Sequence, residues 1–173
     1  GGNLCLMSHL CGTPYFPDLR GAILFLEDVE EAYYRIDRML TQLWLSGALA
    51  GVAGVAFGKF TNCTPSQFFL QNRPLEDILA ERCRALSVPA VSGIMVGHID
   101  DQTTLPVGCL AELDAAAGTL TLLELIVAAV AERLLELADD SVLPAGSTAA
   151  PDPALVTIRV DSVSFAYPAC DVD

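Results

Sequence analysis

Two short stretches of the chain hold the residue types from which a reaction could be built. The first is Glu27-Asp28, with Glu30 and Glu31 just behind it, directly after the apolar run AILFL at 22–26. Ends of buried strands are where open α/β sheets collect their sites. Four carboxylates within five residues repel one another unless solvated or paired. The plain reading is therefore a solvated turn with acids near the start of the next helix. The second stretch is His98, in VGHIDD at 96–101, again behind an apolar run and with a glycine in front. Imidazole is the side chain best suited to proton transfer near neutral pH. Its plain reading is a structural histidine bonded to Asp100 or Asp101. The other histidine, His9, sits in an early segment with no evident partner.

A carboxylate and a histidine at neighbouring strand ends could meet. A carboxylate that holds an imidazole in one tautomer is the orienting half of a nucleophilic triad. Such a pair needs a nucleophile. No GxSxG elbow is present, and Ser8, Ser46, Ser66, Ser87 and Ser92 have no turn signature that would lift them out. Nothing flanking Cys5, Cys63 or Cys109 marks an activated thiol. Two other chemistries stay open. One is a metal site of Glu27, Asp28, His98 and Asp100, because carboxylate plus imidazole suits several divalent ions, although no HExxH pattern occurs. The other is a non-catalytic binding or interaction domain, in which Glu27 and His98 would lie far apart.

The elements that must position these residues follow from apolar periodicity. Residues 1–21 read as loop, punctuated by Gly12, Pro14, Pro17 and Gly21. Residues 22–26 suit a strand buried on both faces. Ile36, Met39, Leu40 and Leu43 form one helical stripe from about Tyr33, stopped by Gly47 or Gly51. VAGVAFGKF at 52–60 is a second strand. Pro74 opens a helix carrying Leu75, Ile78, Leu79, Cys83 and Leu86. AVSGIMV at 90–96 is a third strand, and 107–113 and 119–123 form an antiparallel pair around Ala117-Gly118. The expected fold class is mixed α/β. Beyond residue 124, Ile126, Val127, Val130, Leu134 and Leu137 suggest a helix. Residues 139–153 have linker composition, and 155–165 alternate like a strand. The expected domains are 1–124 and an appended 125–173.

Composition narrows the partners. A net charge of −13 argues against nucleic acid and against an anionic membrane surface, since both need clustered Lys and Arg. Residues 39–58 contain one uncharged stretch long enough to span a bilayer, but Thr41, Gln42, Ser46 and four glycines make helix, turn and strand the better reading. The six cysteines form no CxxC pair, and a chain with 53% hydrophobic residues needs no disulfides, which fits reduced thiols and a cytoplasmic setting. No secretory signal is visible, and the chain does not begin with Met. The composition leaves a homodimer open.

The residues also carry a family resemblance. GGNL at 1–4, GTP at 12–14, ILFLEDV at 23–29, YRIDRML at 34–40, GVAFGKF at 54–60 with Cys63, Gly97-His98, PVG at 106–108 and AELD at 111–114 resemble the LD-carboxypeptidase family, in order, across 1–124. The resemblance implies a cytoplasmic serine peptidase that removes the terminal D-alanine of muropeptide tetrapeptides in cell-wall recycling. A sub-branch holds the microcin C immunity peptidases. It further implies a Ser–Glu–His triad without metal or cofactor, Glu27 and His98 taking the acid and histidine positions. The serine and oxyanion hole would belong to an amino-terminal domain that ends just before the GGNL segment and is this domain's partner. The implied fold is a swivelling β/β/α domain with a small curled mixed sheet. Two positions depart from the pattern: Glu30 stands where glycine is expected, and Ile-Asp-Asp-Gln follows His98 in place of a Gly-Pro-Asp-Asn type. The end of the chain, TIRVDSVSFAYP at 157–168, weakly resembles the first strand of an ATP-binding cassette domain, with Tyr167 as the adenine-stacking aromatic. No phosphate-binding loop follows it in the sequence, and the plain alternative is an extra edge strand.

Overall fold

The computed structural model describes residues 1–68, 73–123, 156–159 and 166–167. The elements are β1 (Gly2–Asn3), α1 (Leu4–Leu10), β2 (Ile23–Val29), α2 (Tyr33–Leu45), β3 (Gly54–Thr61), α3 (Leu75–Leu86) and β4 (Ala90–Ser92), followed by β5 (Ala111–Asp114), β6 (Thr119–Leu122), β7 (Val156–Arg159) and β8 (Ala166–Tyr167). One sheet has the order β1-β2-β3-β4-β8, parallel from β1 to β4 with β8 antiparallel at the edge. The other is antiparallel, in the order β5-β6-β7. The expected mixed α/β class is what the chain adopts.

The parallel strands read as continuous apolar runs because both faces are covered. Leu24, Leu26, Val55 and Phe57 join Ile36, Leu40, Leu43, Ile78, Leu79 and Cys83 in one core beneath the helices. The alternate positions face the other way. Ala56 and Val91 join Ile94 and Leu120 in a second core, against which Ala111 and Leu113 of β5 pack. The helices thus cover one face of the parallel sheet and the β5–β6 hairpin lies on the other. The hairpin turns where Asp114 Oδ1 accepts from the Ala116 and Ala117 amides, both at 2.9 Å, and Gly118 takes φ 65°.

Several expectations are corrected. Residues 1–21 are not all loop: Asn3 caps α1 by accepting from the Leu6 amide at 3.0 Å, and Leu4, Met7 and Ser8 are buried. An asparagine just before an i, i+3 apolar pair was the available signal, but one seven-residue helix is too short for periodicity to show. The first long strand does not stop at Leu26. It runs to Val29, because the Asp28 carboxylate finds donors inside the fold: Asn3 Nδ2 at 2.8 Å, the Cys5 amide at 3.0 Å and the Val29 amide at 2.9 Å. The strand expected at 90–96 ends at Ser92, since Gly93 turns at φ 93° and the Gly93 and Ile94 amides both donate to Phe57 O. The strand expected from residue 107 begins at Ala111, after Gly108 at φ 88°. The run at 155–165 is described only over Val156–Arg159, the edge strand of the antiparallel sheet. The helix expected around 126–137 and the linker at 139–153 lie outside the described residues. No helix among the described residues is long and apolar enough to cross a membrane.

Asp28 is 2% exposed and ties α1 to β2. Asp28→Ala strands three part-buried donors, on Asn3, Cys5 and Val29, so urea unfolding should show a loss of about 2–4 kcal/mol. A loss below about 0.5 kcal/mol would mean the tie contributes nothing.

Candidate functional site

Glu27 lies within β2, and its neighbours alternate across the sheet. Leu24, Leu26 and Asp28 turn toward the helices, so Glu27 shares the opposite face with Ile23 and Phe25. The β2–β3 register slips at this residue: Leu26 pairs with Phe57, but Asp28 pairs with Phe60. One β2 residue therefore faces two on β3, Gly58 and Lys59. Such a bulge bends the strand and re-aims the side chain beside it.

His98 comes from the segment after β4. Val96 O accepts from the Lys59 amide at 2.8 Å, which pins the segment to the bulged part of β3. A Cβ on Gly58 would overlap Val96 O and come within 2.9 Å of the Phe25 ring, so only glycine admits this approach. The Ile99 amide donates to Gly97 O at 3.0 Å, a three-residue turn with His98 at its apex. Thr103 N donates to Met95 O at 2.6 Å and closes the excursion.

The two side chains, 71 positions apart, meet. His98 Nδ1 lies 2.8 Å from Glu27 Oε2. The Glu27 side chain is 8% exposed and that of His98 53%, so the carboxylate is buried behind an imidazole that reaches solvent. With the proton on Nδ1 the ring donates to Glu27, and Nε2 is left as an acceptor with no protein partner among the described residues. Both line an open cleft of about 490 Å³ with Phe25, Val96, Gly97, Ile99, Asp100 and Gln102.

This geometry separates the readings left open by the sequence. The non-catalytic reading put Glu27 and His98 far apart, and they are in contact. The metal reading needed Asp28 beside Glu27, but Asp28 faces the helices with its oxygens bonded to Asn3 and Cys5. Among the described residues no group of three or more His, Cys, Asp or Glu could hold a metal ion. His98 bonds Glu27 and not Asp100 or Asp101. No serine or cysteine among the described residues lines the cleft. Ser8 donates to Cys5 O and Ser46 to Leu43 O, hydroxyls spent on their own helix ends.

The sequence profile of the LD-carboxypeptidase C-terminal domain matches residues 1–113. The chain belongs to the LD-carboxypeptidase family. A provisionally named carboxypeptidase of Synechocystis sp. is 44% identical over 122 residues, covering 70% of this chain and 40% of the relative. The microcin C7 self-immunity protein of Escherichia coli is 30% identical over 117 residues, 66% of this chain and 33% of the relative. Among solved structures, the muramoyltetrapeptide carboxypeptidase of Oxalobacter formigenes superposes with a TM-score of 0.58 at 39% identity, over 64% of this chain and 39% of that one. The chain thus spans about 40% or less of the length of each of these proteins.

Within this LD-carboxypeptidase domain, the departure at Glu30 has a backbone meaning. Glu30 sits at φ 58°, the left-handed region, at the end of β2. Glycine enters that region without steric penalty, whereas a side chain meets about 1–2 kcal/mol of resistance. The sequence reading missed Gly58. Its signal was a glycine inside an apolar strand, which marks a bulge or a close backbone approach.

The thiols of Cys5, Cys63 and Cys83 are pushed up, away from activation. Burial and the nearby carboxylates of Asp28 and Glu31 push the Cys5 thiol up. Burial also raises Cys63, and it takes Cys83 from 9.0 to about 12. For Cys83 the folded value lies above the unfolded one. The linked stability is therefore full below pH 9 and is lost as pH rises from 9 toward 12. The unfolding free-energy advantage of wild type over Cys83→Ala should shrink across that window, by at most about 1.4 kcal/mol per pH unit. A pH-independent difference would contradict the assignment.

Proposed function

We infer that this domain supplies the acid–histidine half of a Ser–Glu–His triad in a serine-type LD-carboxypeptidase. The substrate is a muropeptide tetrapeptide, and the bond cut is the L,D-peptide bond to its terminal D-alanine. The observation that carries the reading is the 2.8 Å contact between a buried Glu27 carboxylate and a half-exposed His98 imidazole on an open cleft. The match to the family profile and the likeness to a muramoyltetrapeptide carboxypeptidase support it.

In this reading Glu27 fixes the imidazole with its proton on Nδ1 and stabilises the imidazolium as it forms. Nε2 takes the proton of a serine hydroxyl supplied by the amino-terminal domain, while that oxygen attacks the carbonyl carbon of the penultimate residue. The tetrahedral adduct collapses as Nε2 returns the proton to the nitrogen of D-alanine, and the C–N bond breaks. Water, deprotonated by His98 Nε2, then attacks the acyl carbon, and Nε2 returns that proton to the serine oxygen as the ester C–O bond breaks. Residues 1–124 form the working unit, a swivelling β/β/α domain with a small curled sheet, and 125–173 are an appendage. The setting is the cytoplasm and cell-wall recycling.

A microcin C immunity-type activity is the second reading, favoured by the 30% identity to the self-immunity protein. The same dyad would serve it, with a peptide–nucleotide conjugate in the cleft.

The test uses the longer protein that carries this domain. Glu27→Gln and His98→Ala should each lower kcat for D-alanine release by about 10²–10⁴-fold with KM little changed. The isolated 173-residue chain should release none above background. Robust release by that chain, or full activity in His98→Ala, would overturn the assignment. Turnover of a peptide–nucleotide conjugate but not of the tetrapeptide would select the second reading.

A further inference from the structure

The Glu27–His98 contact needs one more residue. Gly97 sits between the Val96 anchor on β3 and the turn that carries His98, at φ 134°. A Cβ there would lie 3.1 Å from Glu27 Oε2, the oxygen bonded to His98, and 3.4 Å from Glu27 Cβ. On its other side it would lie 3.0 Å from Lys59 O, which is backbone of β3. Lys59 also donates its amide to Val96 O at 2.8 Å, so that strand cannot withdraw without releasing the segment. Of the groups a methyl would crowd, the Glu27 carboxylate is the one free to give way.

We propose that Gly97 is a positioning residue: its bare Cα is the surface against which the Glu27 carboxylate rests, and that contact sets the distance from Glu27 to His98 Nδ1. Gly58 does the same work one step earlier by admitting Val96 O to β3. The effect of Gly97 on turnover rests on the peptidase reading given above. Its effect on the Glu27–His98 hydrogen bond does not, and the two are measured separately.

The first measurement uses the 173-residue chain without substrate. An Nδ1 proton held between imidazole and a buried carboxylate gives a downfield, exchange-protected proton NMR signal. Gly97→Ala should lose that signal while amide dispersion and circular dichroism stay native. Met95→Ala, a neighbour 40% exposed in the same excursion, should keep it. Glu27→Asp draws the carboxylate back by one methylene and makes room for the methyl. Should Gly97→Ala fail to fold, the Glu27→Asp/Gly97→Ala double variant should recover part of the lost stability, a non-additivity that backbone strain at residue 97 alone would not produce. In the longer protein, Gly97→Ala should lower kcat by about 10–100-fold with KM unchanged, as for a catalytic group moved by a fraction of an ångström to 1 Å. A native signal in Gly97→Ala would overturn the proposal, and so would strict additivity of the two substitutions. Loss of the signal with unchanged kcat would uphold the positioning and contradict the peptidase reading.

Discussion

A carboxylate buried in a sheet must find hydrogen-bond donors or lose its charge, and that requirement organises this domain. β2 carries two such groups in succession, Glu27 at 6% and Asp28 at 2% exposure. Because side chains alternate along a strand, the two face opposite ways and meet different partners. Asp28 is held by the Asn3 side chain and the Cys5 amide at the start of α1, and by the Val29 amide beside it in β2. Glu27 has an imidazole in front of it instead. Backbone amides cannot leave, so Asp28 is fixed structure. An imidazole has a second nitrogen, and on an open cleft that nitrogen is available for proton transfer.

Delivering the imidazole takes several local departures from regular structure, all within a few residues of one another. β3 inserts an extra residue opposite Glu27. β4 ends after three residues, and Gly93 turns the chain. Val96 docks on the bulge, and His98 sits at the apex of a tight turn closed by Ile99. Taken singly, each weakens a sheet. Together they convert the end of a parallel strand into a loop that folds back over its neighbour. Clustering of bulges beside functional residues is the pattern expected when a strand must re-aim a side chain.

How much of this was legible in the sequence differs by element. α2 and α3 were legible nearly to their ends, because three turns of periodic apolar residues override local ambiguity. The buried strands were legible as runs but not in their limits. Apolar content marked 22–26 and 90–96, yet it could not say that Glu27 and Asp28 continue one strand while Gly93 ends another. The reason is that strand limits here are set by long-range partners, Asn3, Cys5 and Phe57, which local pattern does not contain. The pairing of Glu27 with His98 came from chemistry and was supported by the family resemblance. The alternative partners for His98, Asp100 and Asp101, were nearer in sequence but not in space. The glycine at 58 was visible as a residue, but its purpose depends on Val96, 38 positions on.

The central proposal is that His98 Nε2 faces a serine hydroxyl in the longer protein while Nδ1 holds Glu27. A crystal structure of the longer protein measures this directly. The account predicts a serine Oγ from the preceding domain within about 2.6–3.2 Å of Nε2, with the Glu27 contact unchanged. An Nε2 that points into solvent, or meets any group other than a nucleophilic hydroxyl, would contradict it.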